Sequence, residues 1–269
     1  MFTLNQKQSF ANNPESRELA AGREEKLKAR VKAERFVRVD ALVRELGVSA
    51  ATIRRDLEQL EQRGALRRVH GGAVAVESNL DEPLFDDKTQ IAASEKLSIA
   101  RAAVALIKPG SSIFLDGGST ILAMAPLLRE MTDLTVVTNS LRVAHELAGG
   151  GPTLIIVGGD LRRRSQTMVG PLTEPILSSL HMDIAFVGTI GLDLETGLTT
   201  TDAREAFTKK LILRQAQQIV LLADSSKAGK TSFVRFGSPE DVHVFITDSR
   251  APKELLQALR RKGVRLITV

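Results

Sequence analysis

The hydrophobic positions of this chain follow one rhythm up to about residue 76 and another after about residue 95. In the first part, apolar residues recur at helical spacing, as Ile53, Leu57 and Leu60 do. This spacing puts them on one helix face, which packs against a core. In the second part, short apolar runs alternate with helical patterns, and most runs meet a glycine or polar cluster. The change of rhythm predicts two domains of different architecture.

The first part predicts three helices followed by a strand and a turn. Asp40 is suited to cap the second helix, and Gly47 is suited to end it. Ser49 is suited to cap the third helix, which Gly64 would stop before a short basic hairpin. The predicted elements are helices over 23–35, 40–46 and 49–64 and a strand and turn over 66–72.

The third predicted helix has the composition of a helix that enters the DNA major groove. Small and hydroxylated residues begin it, and Arg54 and Arg55 supply forked donors for phosphates or guanine edges. The alternative is an ordinary amphipathic helix with a solvated arginine face. The cap, the glycine stop and the basic hairpin, in this order, favour a winged helix-turn-helix. The predicted DNA-binding residues are Ser49, Ala50, Thr52, Arg54, Arg55, Arg67, Arg68 and His70.

The distribution of charge agrees with a nucleic-acid partner for the first part alone. Residues 23–78 hold 13 Lys and Arg against 9 Asp and Glu, whereas the rest of the chain holds 24 against 23. A small basic module on a nearly neutral body suggests that only the module meets a polyanion.

The second part predicts an α/β domain with a largely parallel sheet. In such sheets, ligands bind beyond the carboxyl ends of the strands, where the polar clusters of this chain lie. The predicted strands are the apolar runs at 113–115, 134–137, 154–157, 184–187, 219–223 and 242–246. The predicted helices cover 95–107, 121–129, 141–148, 203–217 and 252–261.

The cluster Asp116–Thr120 has the features of an anion-binding turn between a strand and a helix. Two glycines let the backbone approach a ligand, Ser119 and Thr120 add hydroxyls, and the following helix offers unpaired amides at its positive end. A purely structural tight turn is the alternative.

Two further sets of charged residues have an alternative interpretation as ordinary surface charges. Glu205 and Lys209 stand at i,i+4 spacing, which is typical of a surface salt pair. The run Arg162–Arg164 could reach the mouth of a pocket, but a solvated charge run is the expected reading.

The sequence resembles the DeoR family of bacterial transcriptional repressors over nearly its whole length from about Arg23. The resemblance depends on the stretch from Val48 to Leu57, on Leu60, Glu61 and Gly64, on the stretch from Arg68 to Ala73, and on the segments Thr199–Ala206 with Lys209 and Leu222–Lys227. It implies a winged helix-turn-helix domain followed by a larger α/β domain that resembles sugar-phosphate isomerases. It also implies a phosphorylated sugar or related metabolite as effector, double-stranded operator DNA as partner and a homo-oligomer, either a dimer or a tetramer.

The resemblance also points to the residues that would bind the effector. Lys227 could neutralise a phosphate, while Asp116, Asp202 and Glu205 could accept hydrogen bonds from sugar hydroxyls. The predicted effector-binding residues are Asp116, Gly117, Gly118, Ser119, Thr120, Thr138, Asn139, Gly188, Gly191, Asp202, Glu205 and Lys227.

We therefore expect a disordered leader over 1–22, a winged helix-turn-helix domain over 23–76, a linker over 77–90 and an effector-sensing domain over 91–269. The expected function is repression of carbohydrate-metabolism genes that a phosphorylated sugar relieves. An isomerase-like enzyme using Asp116, Asp202, Glu205 and Lys227 is an alternative, which the DNA-binding module argues against. A DNA-binding protein without an effector is another.

The composition bears on metal sites, disulfides and membrane segments. The chain contains no cysteine, which excludes disulfides and thiolate metal sites, and its four histidines show no ligand spacing. The N-terminus lacks the apolar run of a signal peptide, and no stretch reaches the ~18 apolar residues that a membrane span needs. We expect a cytoplasmic protein without metal, cofactor or membrane partner.

Overall fold

The structure is a computed structural model that describes residues 14–34, 36–62, 65–69, 71–75, 82 and 85–269. The chain divides into two compact units between residues 77 and 78.

The first unit is a winged helix-turn-helix. In its described residues, three strands form an antiparallel sheet with β3 in the middle, and the core contains Leu27, Leu42, Ile53 and Leu57. The apolar stripe predicted for the third helix is therefore buried, as expected. The elements are α1 (Pro14–Glu34), β1 (Phe36–Arg38), α2 (Val39–Leu46), α3 (Ala50–Gln62), β2 (Leu66–Val69) and β3 (Gly72–Ala75).

The first helix differs from the prediction at its start. It begins at Pro14, so residues 14–22 are helical where the sequence predicted a disordered leader. Proline fits the first turn of a helix because its missing N–H would have no partner there. Residues 1–13 lie outside the described part of the chain.

The caps of the next two helices were predicted in part. Asp40 was the wrong cap: α2 begins one residue before it, so Asp40 lies in the first turn. Gly47 ends α2 with φ of 65°, a left-handed conformation that glycine adopts without strain. Ser49 caps α3 as predicted, since its Oγ accepts from the N–H of Thr52 at 3.2 Å. Gly64, the predicted stop, lies outside the described residues.

The second unit is an α/β domain around a seven-stranded parallel sheet. Its helices are α4 (Phe85–Gln90), α5 (Ala93–Val104), α6 (Ser119–Leu122), α7 (Ala125–Leu128), α8 (Leu141–Leu147), α9 (Glu174–Leu177), α10 (Ala203–Gln215) and α11 (Lys253–Arg261). Its strands are β4 (Ser112–Leu115), β5 (Thr135–Thr138), β6 (Thr153–Ile156), β7 (Asp160–Arg162), β8 (Thr167–Val169), β9 (Met182–Val187), β10 (Gly191–Asp193), β11 (Gly197–Thr200), β12 (Ala216–Leu222), β13 (Val234–Gly237), β14 (Val244–Thr247) and β15 (Arg265–Thr268).

The order of the strands places a topological switch point at the centre of the sheet. The order is β15-β14-β12-β9-β4-β5-β6, and every described pairing is parallel. The chain proceeds from β4 to β5 and β6 on one side, then returns to β9 on the other side of β4. The connections therefore leave the carboxyl ends of β4 and β9 in opposite directions, and such a point is where open α/β sheets bind ligands.

Both faces of the sheet are covered. Alternate residues of the central strands enter different cores, with Phe114 in one and Ile113 and Leu115 in the other. Residues from α10 and α11 complete the first core, and residues from α5 and α8 complete the second. The predicted α/β architecture is confirmed. The sequence did not predict α4, β15, the β7-β8 hairpin or the small antiparallel sheet β10-β11-β13.

Candidate functional site

The N-terminus of α3 presents small polar side chains that are already engaged within the helix. The Oγ atoms of Ser49 and Thr52 lie 2.9 Å apart, and Ser49 also caps the helix. The predicted base contacts of these two hydroxyls would therefore be made by a preorganised pair.

Two arginines of α3 are available to a ligand outside the unit. Arg54 and Arg55 are both exposed, and neither forms an ion pair within the described part of the chain. Arg54 and Arg68 line one cavity between α3 and the β2-β3 hairpin, together with Val69 and Gly72. The helix and the hairpin therefore form one basic surface, as a winged helix requires for contact with both groove and backbone.

The hairpin is joined to α3 by polar contacts. The backbone N–H of Arg68 donates to Glu61 at 2.7 Å, and the Arg68 guanidinium lies 3.9 Å from Glu58. The side chain of Arg67 and all of His70, both predicted to bind DNA, lie outside the described residues.

Sequence reasoning missed the residue that fixes α3 against α1. Asp56 is 6% exposed and accepts two hydrogen bonds from Arg23, at 2.6 and 3.2 Å. This bond raises the pKa of Arg23, against the lowering effect of burial. Asp56 is a polar residue on the buried face of α3, which is a signal visible in the sequence.

In the second unit, Asp116 and Gly188 meet at the switch point. Asp116 follows β4 and is 2% exposed, and its Oδ2 accepts from the N–H of Gly188 at 3.0 Å. The same oxygen accepts a hydrogen bond from Lys209 of α10, which also donates to the carbonyl of Gly188 at 3.0 Å. Three distant segments thus converge at the carboxyl ends of β4 and β9.

Glu205 and Lys209, for which a surface salt pair was the alternative interpretation, do form a pair, but it is not on the surface. Lys209 Nζ lies 3.8 Å from Glu205 Oε1, and the two side chains are only 5% and 14% exposed. Burial lowers the pKa of Lys209, but the charge of Asp116 outweighs it and the pKa is raised. Burial also raises the pKa of Glu205. A largely enclosed acid next to a buried base is part of a polar network, so the alternative of a surface pair is wrong.

Arg162 was expected to be solvated, but the structure places it inside the same network. It is 8% exposed, and its Nη1 lies 3.2 Å from Glu205 Oε2. Its Nη2 donates to Glu82 at 2.6 Å and to Thr201 at 3.0 Å. Arg163 and Arg164 are exposed, as expected for the rest of the run.

Glu82 was placed in the predicted linker and was missed as a site residue. Its side chain is 1% exposed and accepts from Thr201 at 2.6 Å and from Lys88 at 2.8 Å, in addition to Arg162. Burial alone would raise the pKa of Glu82, but the hydrogen bonds from Arg162 and Lys88 lower it to about 2. The carboxylate is therefore ionised at neutral pH.

Asp202 has a structural role that the sequence did not predict. Its Oδ1 caps α10 by accepting from the N–H groups of Arg204 and Glu205 at 2.9 and 3.1 Å. Its Oδ2 lies 3.4 Å from Arg162 Nε. Burial opposes ionisation of Asp202, but these bonds and the charge of Arg162 leave its pKa lowered.

The loop Gly117–Thr120 lies beside this network. The argument that the positive end of the following helix favours an anion here was wrong. The helix that follows, α6, is a single turn of four residues, so it has little dipole to offer an anion. A Cβ on Gly117 would lie 1.8 Å from Cγ2 of Thr167, so this glycine is required by the close approach of β8. Since Thr167 pairs with Arg162 across the β7-β8 hairpin, this hairpin brings Arg162 to the loop.

Some of the other predicted effector-binding residues have a role in the fold. For the rest, effector binding stays a prediction. Thr138 donates to the carbonyl of Leu115 at 2.7 Å, and a Cβ on Gly191 would meet the carbonyl of Lys230 at 2.3 Å. Asn139 donates to Met168 at 2.9 Å, while its buried Oδ1 has no hydrogen-bond partner in the described structure. Lys227 ends the 3-10 turn Ser225–Lys227 that follows β12.

The site as a whole is polar, charged and placed where sheets of this kind bind ligands. Its carboxylates and cations suit a ligand that carries both hydroxyl and anionic groups. Several buried polar atoms of the described residues lack a hydrogen-bond partner: Arg162 Nη1, Glu205 Oε2, Asn139 Oδ1 and Thr200 Oγ1. In the described part of the chain, no helix has the length and apolar character to cross a membrane.

Comparison with known proteins gives a consistent result for both units. Residues 23–79 match the family described as a DeoR-like helix-turn-helix domain, and residues 91–249 match the DeoR C terminal sensor domain. The HTH-type transcriptional regulator GlpR of Haloferax volcanii is 39% identical, over 85% of this chain and 90% of that protein. The glycerol-3-phosphate regulon repressor of Escherichia coli K12 is 34% identical, over 88% and 94%. Ribose 5-phosphate isomerase A from Methanocaldococcus jannaschii is similar in structure, with a TM-score of 0.38 and 22% identity over 49% of this chain and 53% of that one.

Proposed function

The chain belongs to the DeoR family of transcriptional regulators, and we propose that it is a repressor that a phosphorylated sugar or related metabolite releases from operator DNA. The DNA is bound by α3 and the β2-β3 hairpin, with Arg54, Arg55 and Arg68 as the main cationic contacts. The effector occupies the crevice at the carboxyl ends of β4 and β9.

One observation supports this proposal most strongly. A chain with an exposed arginine helix also contains a buried network of Asp116, Glu205, Lys209 and Arg162 at the switch point of its sheet. Burying so many charges costs stability, and such clusters concentrate at functional sites. The name of the Escherichia coli relative, a glycerol-3-phosphate regulon repressor, agrees with a phosphorylated effector.

Release from DNA requires that the effector bind the free and DNA-bound conformations with different affinities. The protein acts in the cytoplasm as a homo-oligomer, since paired half-sites need paired recognition helices. A dimer is the smallest assembly that meets this need.

A thermal-shift screen of the full chain against phosphorylated sugars and their unphosphorylated forms tests the effector class. A ligand that binds the native state raises the apparent stability by mass action. We expect a shift with one phosphorylated compound and none with its unphosphorylated form. No shift across a broad panel would refute the sugar-phosphate effector and leave an effector-independent DNA-binding protein.

The buried pair of Glu205 and Lys209 favours isomerisation of a sugar phosphate as a second candidate, because proton transfer needs an acid and a base in one pocket. Turnover of a sugar phosphate that Glu205→Gln abolishes would support it. Absence of turnover with a compound that shifts the melting temperature would exclude it for that compound.

A further inference from the structure

Glu82 is unusual because it stands near the beginning of the second unit, in the stretch predicted to be a linker, and is nevertheless buried in the charged network. It stands five residues after the division of the chain at 77 and 78. Its carboxylate accepts from Arg162, Thr201 and Lys88, and Arg164 donates to its carbonyl. A carboxylate held by a guanidinium, a hydroxyl and an ammonium occupies the same kind of donor set that binds a phosphate.

The charge balance of the network makes the entry of a further anion unfavourable unless a carboxylate leaves. Arg162 is already surrounded by Glu82, Asp202 and Glu205, within 2.6 to 3.4 Å. Lys209 is paired with Asp116 and lies close to Glu205. Like charges at such distances in a poorly hydrated site repel strongly.

Among these carboxylates, Glu82 is the one whose departure leaves the domain intact. Asp116 holds the backbone of Gly188, Asp202 caps α10, and Glu205 is fixed on α10 itself. The Glu82 carboxylate accepts only from side chains, among the described residues. Its removal frees Arg162, Thr201 and Lys88 without breaking a helix or a strand.

We propose that Arg162, Thr201 and Lys88 form the anion subsite of the effector pocket, that the Glu82 carboxylate fills this subsite when no effector is bound, and that the phosphate of the effector displaces it. This inference rests on the proposed function and places the phosphate at Arg162, which leaves the loop Asp116–Thr120 to contact the sugar. The β7-β8 hairpin, which joins Arg162 to Thr167 against Gly117, keeps the two parts of the ligand site together.

The exchange of one anion for another supplies a physical link to DNA binding. With Glu82 bound, the beginning of the second unit is anchored in the charged network; with Glu82 displaced, this anchor is lost. The effector then binds the unanchored state more tightly, which is the unequal affinity that coupling requires.

The test compares Glu82→Gln with the unaltered full chain, using inorganic phosphate as the probe in isothermal titration at pH 7. Removing the competing charge should tighten phosphate binding by about tenfold or more, since the subsite no longer has to be vacated. Glu130→Gln, an exposed position in the same unit, is the matched control and should bind like the unaltered chain. In the Glu82→Gln background, Thr201→Val and Arg162→Lys should each weaken phosphate binding again.

A second readout separates this inference from the proposed function. Without ligand, Glu82→Gln should bind DNA more weakly than the unaltered chain, and phosphorylated compounds should change its DNA affinity less. If a phosphorylated sugar releases the unaltered chain from DNA while Glu82→Gln behaves identically in both assays, the inference is overturned and the proposed function stands. If no phosphate or phosphorylated sugar binds any variant, both fail.

Discussion

At the scale of the residue, burial decides the role of each charged side chain. The burial of a charged residue is difficult to predict from the sequence. Glu205 and Lys209 have the spacing of a surface pair, yet both are enclosed and tied to Asp116 and Arg162. Glu82 is one acid in a stretch without periodicity, and its partner Arg162 is 80 residues away in sequence. Only the folding of the second unit brings them together.

Arg54→Ala tests the role of α3 in DNA binding. If Arg54 contacts a guanine edge, its loss should weaken operator binding by ~1–3 kcal/mol at fixed salt. Fluorescence anisotropy with labelled operator DNA measures this directly. Arg261→Ala, on the exposed end of α11, is the control and should have no effect. Unchanged affinity in Arg54→Ala would remove this residue from the DNA-binding surface.

Ser119→Asp tests the loop beside Asp116. A second carboxylate in this loop would repel an anionic effector, so we expect DNA binding to persist while the effector no longer releases the DNA. Anisotropy with and without effector distinguishes the two effects. Ser178→Asp, at an exposed position after α9, should respond normally. A normal response in Ser119→Asp would show that the loop does not line the effector site.

The low pKa of Glu82 predicts a specific acid sensitivity. Its pKa is about 2 in the folded protein, below the usual 4.5, so the stabilisation is complete above about pH 4.5 and is lost as the pH falls towards 2. The shift corresponds to about 3 kcal/mol. The difference in melting temperature between the unaltered chain and Glu82→Gln should therefore shrink between pH 6 and pH 3. A constant difference would contradict the ionised, bonded carboxylate.

At the scale of the element, the sequence predicted those helices and strands that are marked by periodic apolar residues and by glycine, proline or polar residues at their ends. The six apolar runs all became strands of the parallel sheet, because buried parallel strands need continuous apolar sequence. The helix predicted over 121–129 is two short helices, α6 and α7, with a proline in the first turn of the second. The strand β1 was missed because three residues carry no periodic signal and its pairing with β3 is non-local.

The ion pair between α1 and α3 predicts a local change in stability. Asp56→Asn keeps the shape of the side chain but removes the charge that binds Arg23, at a cost of about 1–3 kcal/mol to the packing of these helices. Hydrogen exchange of the full chain should show faster exchange in α1 and α3 only. Arg23→Gln should produce the same pattern, and the double variant should add little to it. Faster exchange confined to the second unit would contradict this role.

At the scale of the whole molecule, the chain has two units with separate cores, and Glu82 stands near the beginning of the second unit. The proposed DNA-binding surface lies in the first unit and the proposed effector site in the second, so the proposed regulation requires coupling between the two units. The sequence predicted both domains from their separate signatures. It could not predict the burial of Glu82, since the partners of this side chain, Arg162 and Thr201, are 80 and 119 residues away in sequence.

The central claim is that a phosphorylated ligand in the crevice lowers the affinity of the chain for DNA. The most direct measurement is fluorescence anisotropy of the full chain on a DNA fragment that it selects from a random pool, titrated with matched pairs of phosphorylated and unphosphorylated sugars. We predict that a phosphorylated compound releases the DNA and that its unphosphorylated partner does not. DNA affinity unchanged by every member of the panel, or changed equally by both members of each pair, would contradict the claim.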